Sequence, residues 1–104
     1  MNDLKEVFRR FTDERDWDQF HTPENLAKSI SIEAGELLEC FQWNDDFDKE
    51  AVCEELADVI SYCVMLADKL DVDLKTIVLD KLEKTRAKYP VEKAKGNATK
   101  YDKL

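Results

Sequence analysis

Apolar residues recur three and four positions apart along most of this chain, the spacing of helices that each bury one face. Leu4, Val7, Phe8 and Phe11 set the first such run and predict a helix from about Asp3 to Glu14. The stretch Arg15-Asp16-Trp17-Asp18-Gln19-Phe20-His21 breaks the pattern and reads as a turn. A second helix has a clear start: Thr22 can serve as N-cap, Pro23 takes the first helical position and Glu24 complements the dipole. It extends to about Phe41, after which Asn44-Asp45-Asp46 interrupts the periodicity. A third helix is predicted from about Asp48 to Leu70, with Val52, Leu56, Val59, Cys63, Leu66 and Leu70 on one stripe. Asp73 is the expected cap of a fourth, which carries Leu74, Ile77, Val78 and Leu82 to about Lys88, where Tyr89-Pro90 stops it. Residues 90–104 read as an irregular basic tail.

Composition narrows the fold class. Two Gly and two Pro in 104 residues leave too few turn formers for a small sandwich or barrel. The expected architecture is all-α: one domain over residues 1–104, an antiparallel four-helix bundle-like subunit. No long uncharged run predicts a membrane span, and Asn2, Asp3, Lys5 and Glu6 do not resemble a secretory leader. Cys40, Cys53 and Cys63 are odd in number and lack CxxC spacing, so reduced thiols in a cytoplasmic protein are expected rather than a disulfide framework or a zinc site.

Charge is distributed unevenly. Residues 1–74 carry 7 basic and 20 acidic side chains, whereas residues 75–104 carry 9 basic and 4 acidic ones. An acidic bulk argues against a nucleic acid polymer or an anionic membrane as the main partner. A small polyanion held between cation-loaded carboxylates and a basic tail fits better.

Two carboxylate pairs supply the candidate chemistry, Glu33-x-x-Glu36 on the second helix and Glu55-x-x-Asp58 on the third. Residues three apart share a helix face. Glu33 falls within the stripe of Leu26, Ile30, Leu37 and Phe41, where a solvated face would not put it. The midpoint between Glu36 and Glu55 lies inside the Asn44-Asp45-Asp46 turn. If the two helices fold back as a hairpin, both pairs sit about ten residues from the bend, on the order of 15 Å along each helix, and meet at one level. Four converging carboxylates repel one another unless cations neutralise them. All-oxygen ligation selects Mg²⁺, Mn²⁺ or Ca²⁺, and magnesium pairs naturally with phosphate oxygens. A di-iron bundle would need Glu-x-x-His pairs, and the one histidine, His21, lies outside both helices.

Glu33-Ala-Gly-Glu36-Leu-Leu-Glu39, Phe41-Gln42-Trp43, Glu54-Glu55-Leu-Ala-Asp58-Val-Ile-Ser-Tyr62, Val72-Asp73-Leu74 and Lys88-Tyr89-Pro90 resemble the MazG-like all-α nucleoside triphosphate pyrophosphohydrolases. Arg15-Asp16-Trp17-x-Gln19-Phe20-His21 and Lys100-Tyr101 are similar to the dCTP pyrophosphatase branch. The resemblance implies hydrolysis of a (deoxy)nucleoside triphosphate, such as dCTP or a modified dCTP, to monophosphate and pyrophosphate, a nucleotide house-cleaning activity. It also implies Mg²⁺ ligation by Glu33, Glu36, Glu55 and Asp58, with Mn²⁺ as a substitute, and a homotetramer built as a dimer of dimers. Glu39, one turn beyond Glu36, is the candidate general base or outer ligand. Trp17, Trp43 and Tyr62 match positions lining the nucleoside pocket, with His21 as an orienting residue beside Trp17. Lys81, Arg86, Lys88 and Lys100 are candidates for the triphosphate tail. Thr85 and Phe8 depart from residues common in relatives and leave strict dCTP preference open. The rival readings are a helical interaction module without catalysis and a relative that hydrolyses dUTP or dUDP.

Overall fold

The computed structural model describes residues 2–43 and 45–104, with side chains from residue 4 onward, so Asn44 of the predicted turn lies outside the described residues. The chain forms two compact units, Met1–Asp73 and Leu74–Leu104. The first contains α1 (Asn2–Glu14), a 3-10 turn at Asp18–Phe20, α2 (Pro23–Glu39) and α3 (Lys49–Lys69). The second contains α4 (Leu74–Lys88), α5 (Val91–Ala94) and a 3-10 turn at Tyr101–Lys103. No strand occurs among the described residues, and none of the described helices is long and apolar enough to cross a membrane.

Helix ends follow local chemistry. At the start of α2, Thr22 Oγ1 accepts from the Asn25 N–H at 3.2 Å while Pro23 takes the first position, as predicted. Asp48 caps α3 by accepting from the Glu50 N–H at 3.0 Å. The C-termini of α1 and α3 share a second device. Trp17 N–H donates to Thr12 O at 2.9 Å and Asp16 N–H to Asp13 O at 3.1 Å, with Asp16 left-handed at φ 55°. Val72 N–H donates to Ala67 O at 3.0 Å and Asp71 N–H to Asp68 O at 3.1 Å, with Asp71 also at φ 55°. Both are Schellman endings with aspartate where glycine is usual.

In the first unit, α2 and α3 make the most extensive pairing, and α1 lies against α3. Leu26, Val64, Ala67 and Thr12 are its buried residues. They join α1, the start of α2 and the second half of α3. The Thr12 hydroxyl is satisfied at 3.0 Å by the Phe8 and Arg9 carbonyls, so its burial leaves no orphan donor. Long-range polar contacts fasten α1 to the end of α3. The Arg9 guanidinium grips both Asp68 carboxylate oxygens, Nε to Oδ2 at 2.7 Å, and Lys5 donates to the Val72 carbonyl. Lys69 reaches Asp18 in the loop after α1.

Two sequence expectations change. The third helix was expected to bury a stripe including Leu56 and Leu70, but both are exposed, and Val64 and Ala67 are buried instead. Val64 and Ala67, three apart, share one face in the second half of α3, the half that Arg9 of α1 grips at Asp68. The tail is not wholly irregular. Tyr101 N–H donates to Tyr89 Oη at 3.2 Å, the two rings meet edge-on at 6.1 Å, and Lys88 Nζ lies 4.6 Å from the Tyr101 ring centre. These contacts fold the end of the chain back onto the end of α4.

Candidate active site

Of the four predicted carboxylates, the hairpin brings the ligand atoms of Glu33, Glu55 and Asp58 together. Phe41, after α2, and Phe47, before α3, meet at a tilt of 54° with centroids 5.1 Å apart and fasten the bend. Below it, Glu33 from α2 and Glu55 and Asp58 from α3 converge, each offering an oxygen within 4.8 Å of the others. Glu33 and Glu55 are half-buried and Asp58 is exposed, so the cluster is shielded on its inner side and open on its outer one. Burial pushes the Glu33 carboxyl above its ordinary range, and Glu36, Asp58 and Glu55 push it the same way. Burial likewise raises Glu55, reinforced by Glu36, Asp58 and Glu54. Glu36, one turn from Glu33, is therefore close enough to act electrostatically on both.

The Oε2 atoms of Glu33 and Glu55 are buried and have no hydrogen-bond partner. Buried carboxylate oxygens are rarely left unsatisfied. Basic side chains do not fill the gap, because the ion pairs formed by described residues involve Asp18, Asp68, Glu14, Glu24 and Glu83 instead. A hard divalent cation suits this donor set of carboxylate oxygens.

About ten residues toward the C-terminus of α3, a cavity of about 30 Å³ opens between α1 and α3, lined by Lys5, Phe8, Arg9, His21, Met65 and Asp68 among others. It has room for roughly one or two waters. Trp17 stands just past α1, 44% exposed, with its ring edge-on to Phe11 at 5.6 Å. Trp43 is 83% exposed beside the bend, and Tyr62 is half-buried one turn beyond Asp58.

The model of the MazG-like family matches residues 28–104, which include all four carboxylates and the whole second unit. Over its full length the chain is 40% identical to dCTP pyrophosphatase 1 of Rattus norvegicus and 39% to that of Homo sapiens, covering 67% of each. A solved pyrophosphatase from Archaeoglobus fulgidus superposes with a TM-score of 0.78 at 43% identity, covering 86% of this chain and 92% of its own.

The chain belongs to the MazG-like family.

Within this MazG-like chain the predicted site residues fall into separate groups. Glu33, Glu55 and Asp58 are in one cluster, with Glu36 adjacent. Glu39 is exposed at the end of α2, beside Gln42 and Phe41 around an open depression. Trp17 lies after α1, His21 lines the small cavity, and Tyr62 continues the Asp58 ridge. Lys81, Arg86, Lys88 and Lys100 belong to the second unit, where Arg86 is 3.7 Å from Glu83 and Lys88 covers Tyr101. Sequence reasoning missed Lys5, Arg9 and Asp68 around the cavity. Arg9 and Asp68 are 59 residues apart, and no local spacing marks them as partners.

Proposed function

We propose that this protein hydrolyses a deoxynucleoside triphosphate of the dCTP class, normal or base-modified, to the monophosphate and pyrophosphate in a magnesium-dependent reaction. The observation that carries the reading is the pair of buried, partnerless oxygens on Glu33 and Glu55 beside Asp58. The MazG-like family and the similarity to proteins named dCTP pyrophosphatase 1 support the reaction class.

Glu33, Glu36, Glu55 and Asp58 would hold magnesium, with manganese able to replace it. When bound, the metal offsets triphosphate charge, polarises the α-phosphoryl group and lowers the pKa of water. The chain's own residues do the rest. Glu39 accepts a proton at its carboxylate from the water that attacks the α-phosphorus. The bond from that phosphorus to the bridging oxygen breaks, and pyrophosphate departs with the electron pair. No covalent nucleophile is required. Trp17 and Trp43 supply stacking faces for the base, worth about 1–3 kcal/mol per base by analogy with single-strand binders. Tyr62 shapes the sugar side, and His21 orients the Trp17 region.

Assembly is part of the same proposal. Among the described residues only Leu26, Val64 and Ala67 are buried apolar side chains, while Ile32, Leu38, Leu56 and Ile60 remain exposed on α2 and α3. That much apolar surface favours cover by further copies of the chain, as a dimer of dimers. A nucleotide panel assayed with and without magnesium tests the function. Monophosphate and pyrophosphate from dCTP or its modified forms, only with the metal, are expected; phosphate release, or metal-independent turnover, would refute it.

A further inference from the structure

Trp17 is the first residue beyond a turn of fixed geometry. Asp16 in the left-handed region and the Trp17 N–H to Thr12 carbonyl bond set its backbone, and Phe11, six residues earlier in the last turns of α1, meets its ring. This is the apolar contact that accompanies a Schellman ending. Backbone geometry alone does not fix the indole, because Trp17 stays 44% exposed. Arg15 supplies the missing constraint. Its guanidinium carbon lies 3.9 Å above the Phe11 ring centre and 6.0 Å from that of Trp17. Its Nη1 donates to the Phe11 carbonyl at 3.0 Å, and Glu14 Oε2 approaches at 3.5 Å. One planar cation therefore lies on the Phe11 ring and at the edge of cation–π range of the Trp17 ring, while being tied to the backbone of α1.

We infer that Arg15 is a positioning residue which, through Phe11, holds the Trp17 indole in the orientation that receives the substrate base. The inference rests on Trp17 being a stacking platform, as proposed above. Cation–π contacts at exposed sites are modest, and guanidinium suits them because it is planar and weakly hydrated. The effect is thus on binding, and it leaves the reacting atoms untouched.

Steady-state kinetics on Arg15→Ala, Trp17→Ala and the double variant test this, with circular dichroism to establish the fold. Trp17→Ala is expected to raise KM for dCTP about tenfold, and Arg15→Ala about two- to fivefold, with kcat nearly unchanged for Arg15→Ala. In the Trp17→Ala background, adding Arg15→Ala should change nothing further. Time-resolved anisotropy in a Trp43→Phe background, where Trp17 is the sole indole, should decay faster once Arg15 is replaced. If Trp17→Ala leaves KM unaltered, the platform reading itself fails. If Trp17→Ala raises KM while Arg15→Ala moves neither KM nor anisotropy, or if the two effects multiply independently, the positioning role is overturned and the platform stands.

Discussion

Glu33 and Glu55 each turn one carboxylate oxygen into the seam between α2 and α3, and neither buried oxygen has a hydrogen-bond partner. The two residues are 22 positions apart and on opposite arms of a hairpin. Burial and the neighbouring acids oppose their ionisation, which is the electrostatic state that a divalent cation reverses. Glu55→Gln and Asp58→Asn should therefore reduce magnesium-dependent pyrophosphate release on the order of a hundredfold or more, while circular dichroism remains native. Without metal, Glu33→Gln should melt no lower than the parent chain, because it removes a repelled charge from a shielded site.

Metal binding should also be visible without any substrate. A cation that binds only the folded chain stabilises it by about 2.7 kcal/mol at a hundred times its dissociation constant. Magnesium should raise the melting temperature of the parent protein and leave that of a Glu33→Gln/Glu55→Gln variant in place. Scanning calorimetry over a magnesium series reads this directly.

Acid should weaken the link between α1 and α3. The Arg9 guanidinium, hydrogen-bonded to Asp68, holds that carboxyl below its ordinary range. A depressed folded-state pKa gives stability that is present above the unfolded value, about 3.9, and is lost as pH falls through the lower folded one. Asp68→Asn should thus lower the melting temperature modestly at pH 7, since the Arg9 side chain of the pair is 61% exposed. The gap should close as pH drops below 4. A gap that persists unchanged down to pH 2 would assign the effect to packing instead.

The left-handed aspartates offer a stability test remote from the cluster. Asp71 ends α3 at φ 55°, a conformation that glycine adopts without steric cost. Asp71→Gly should raise stability by up to about 1 kcal/mol, and Asp71→Ala should lower it, in thermal or denaturant unfolding. Asp16→Gly should gain less, because Asp16 Oδ2 accepts a hydrogen bond from Gln19 Nε2 at 3.1 Å.

Assembly predicts its own measurement. Leu38 is 70% exposed on α2, and a charge there costs little in a lone chain. If copies of the chain cover this face, sedimentation of the parent protein should give about four times 12.2 kDa, and Leu38→Glu should lower that mass. A parent protein that sediments as a single chain would end the assembly proposal.

Local rules made the helix starts legible: Thr22-Pro23-Glu24 and Asp48 act where their chemistry places them. The carboxylate cluster was legible too, because spacing on two helices and symmetry about the bend are both written in residue numbers. Partners joined only by tertiary packing were not. Nothing near Arg9 points to Asp68, and the burial of Val64 and Ala67 in place of Leu56 and Leu70 depends on where α1 lands. The Tyr89–Tyr101 contact escaped for the same reason, since a short basic tail carries no periodicity to read.

Anomalous scattering from a crystal of the protein soaked in manganese tests the central claim most directly. Manganese density bounded by Glu33, Glu36, Glu55 and Asp58 is the predicted result. Manganese bound elsewhere, with those carboxylates left bare at saturating metal, would contradict it.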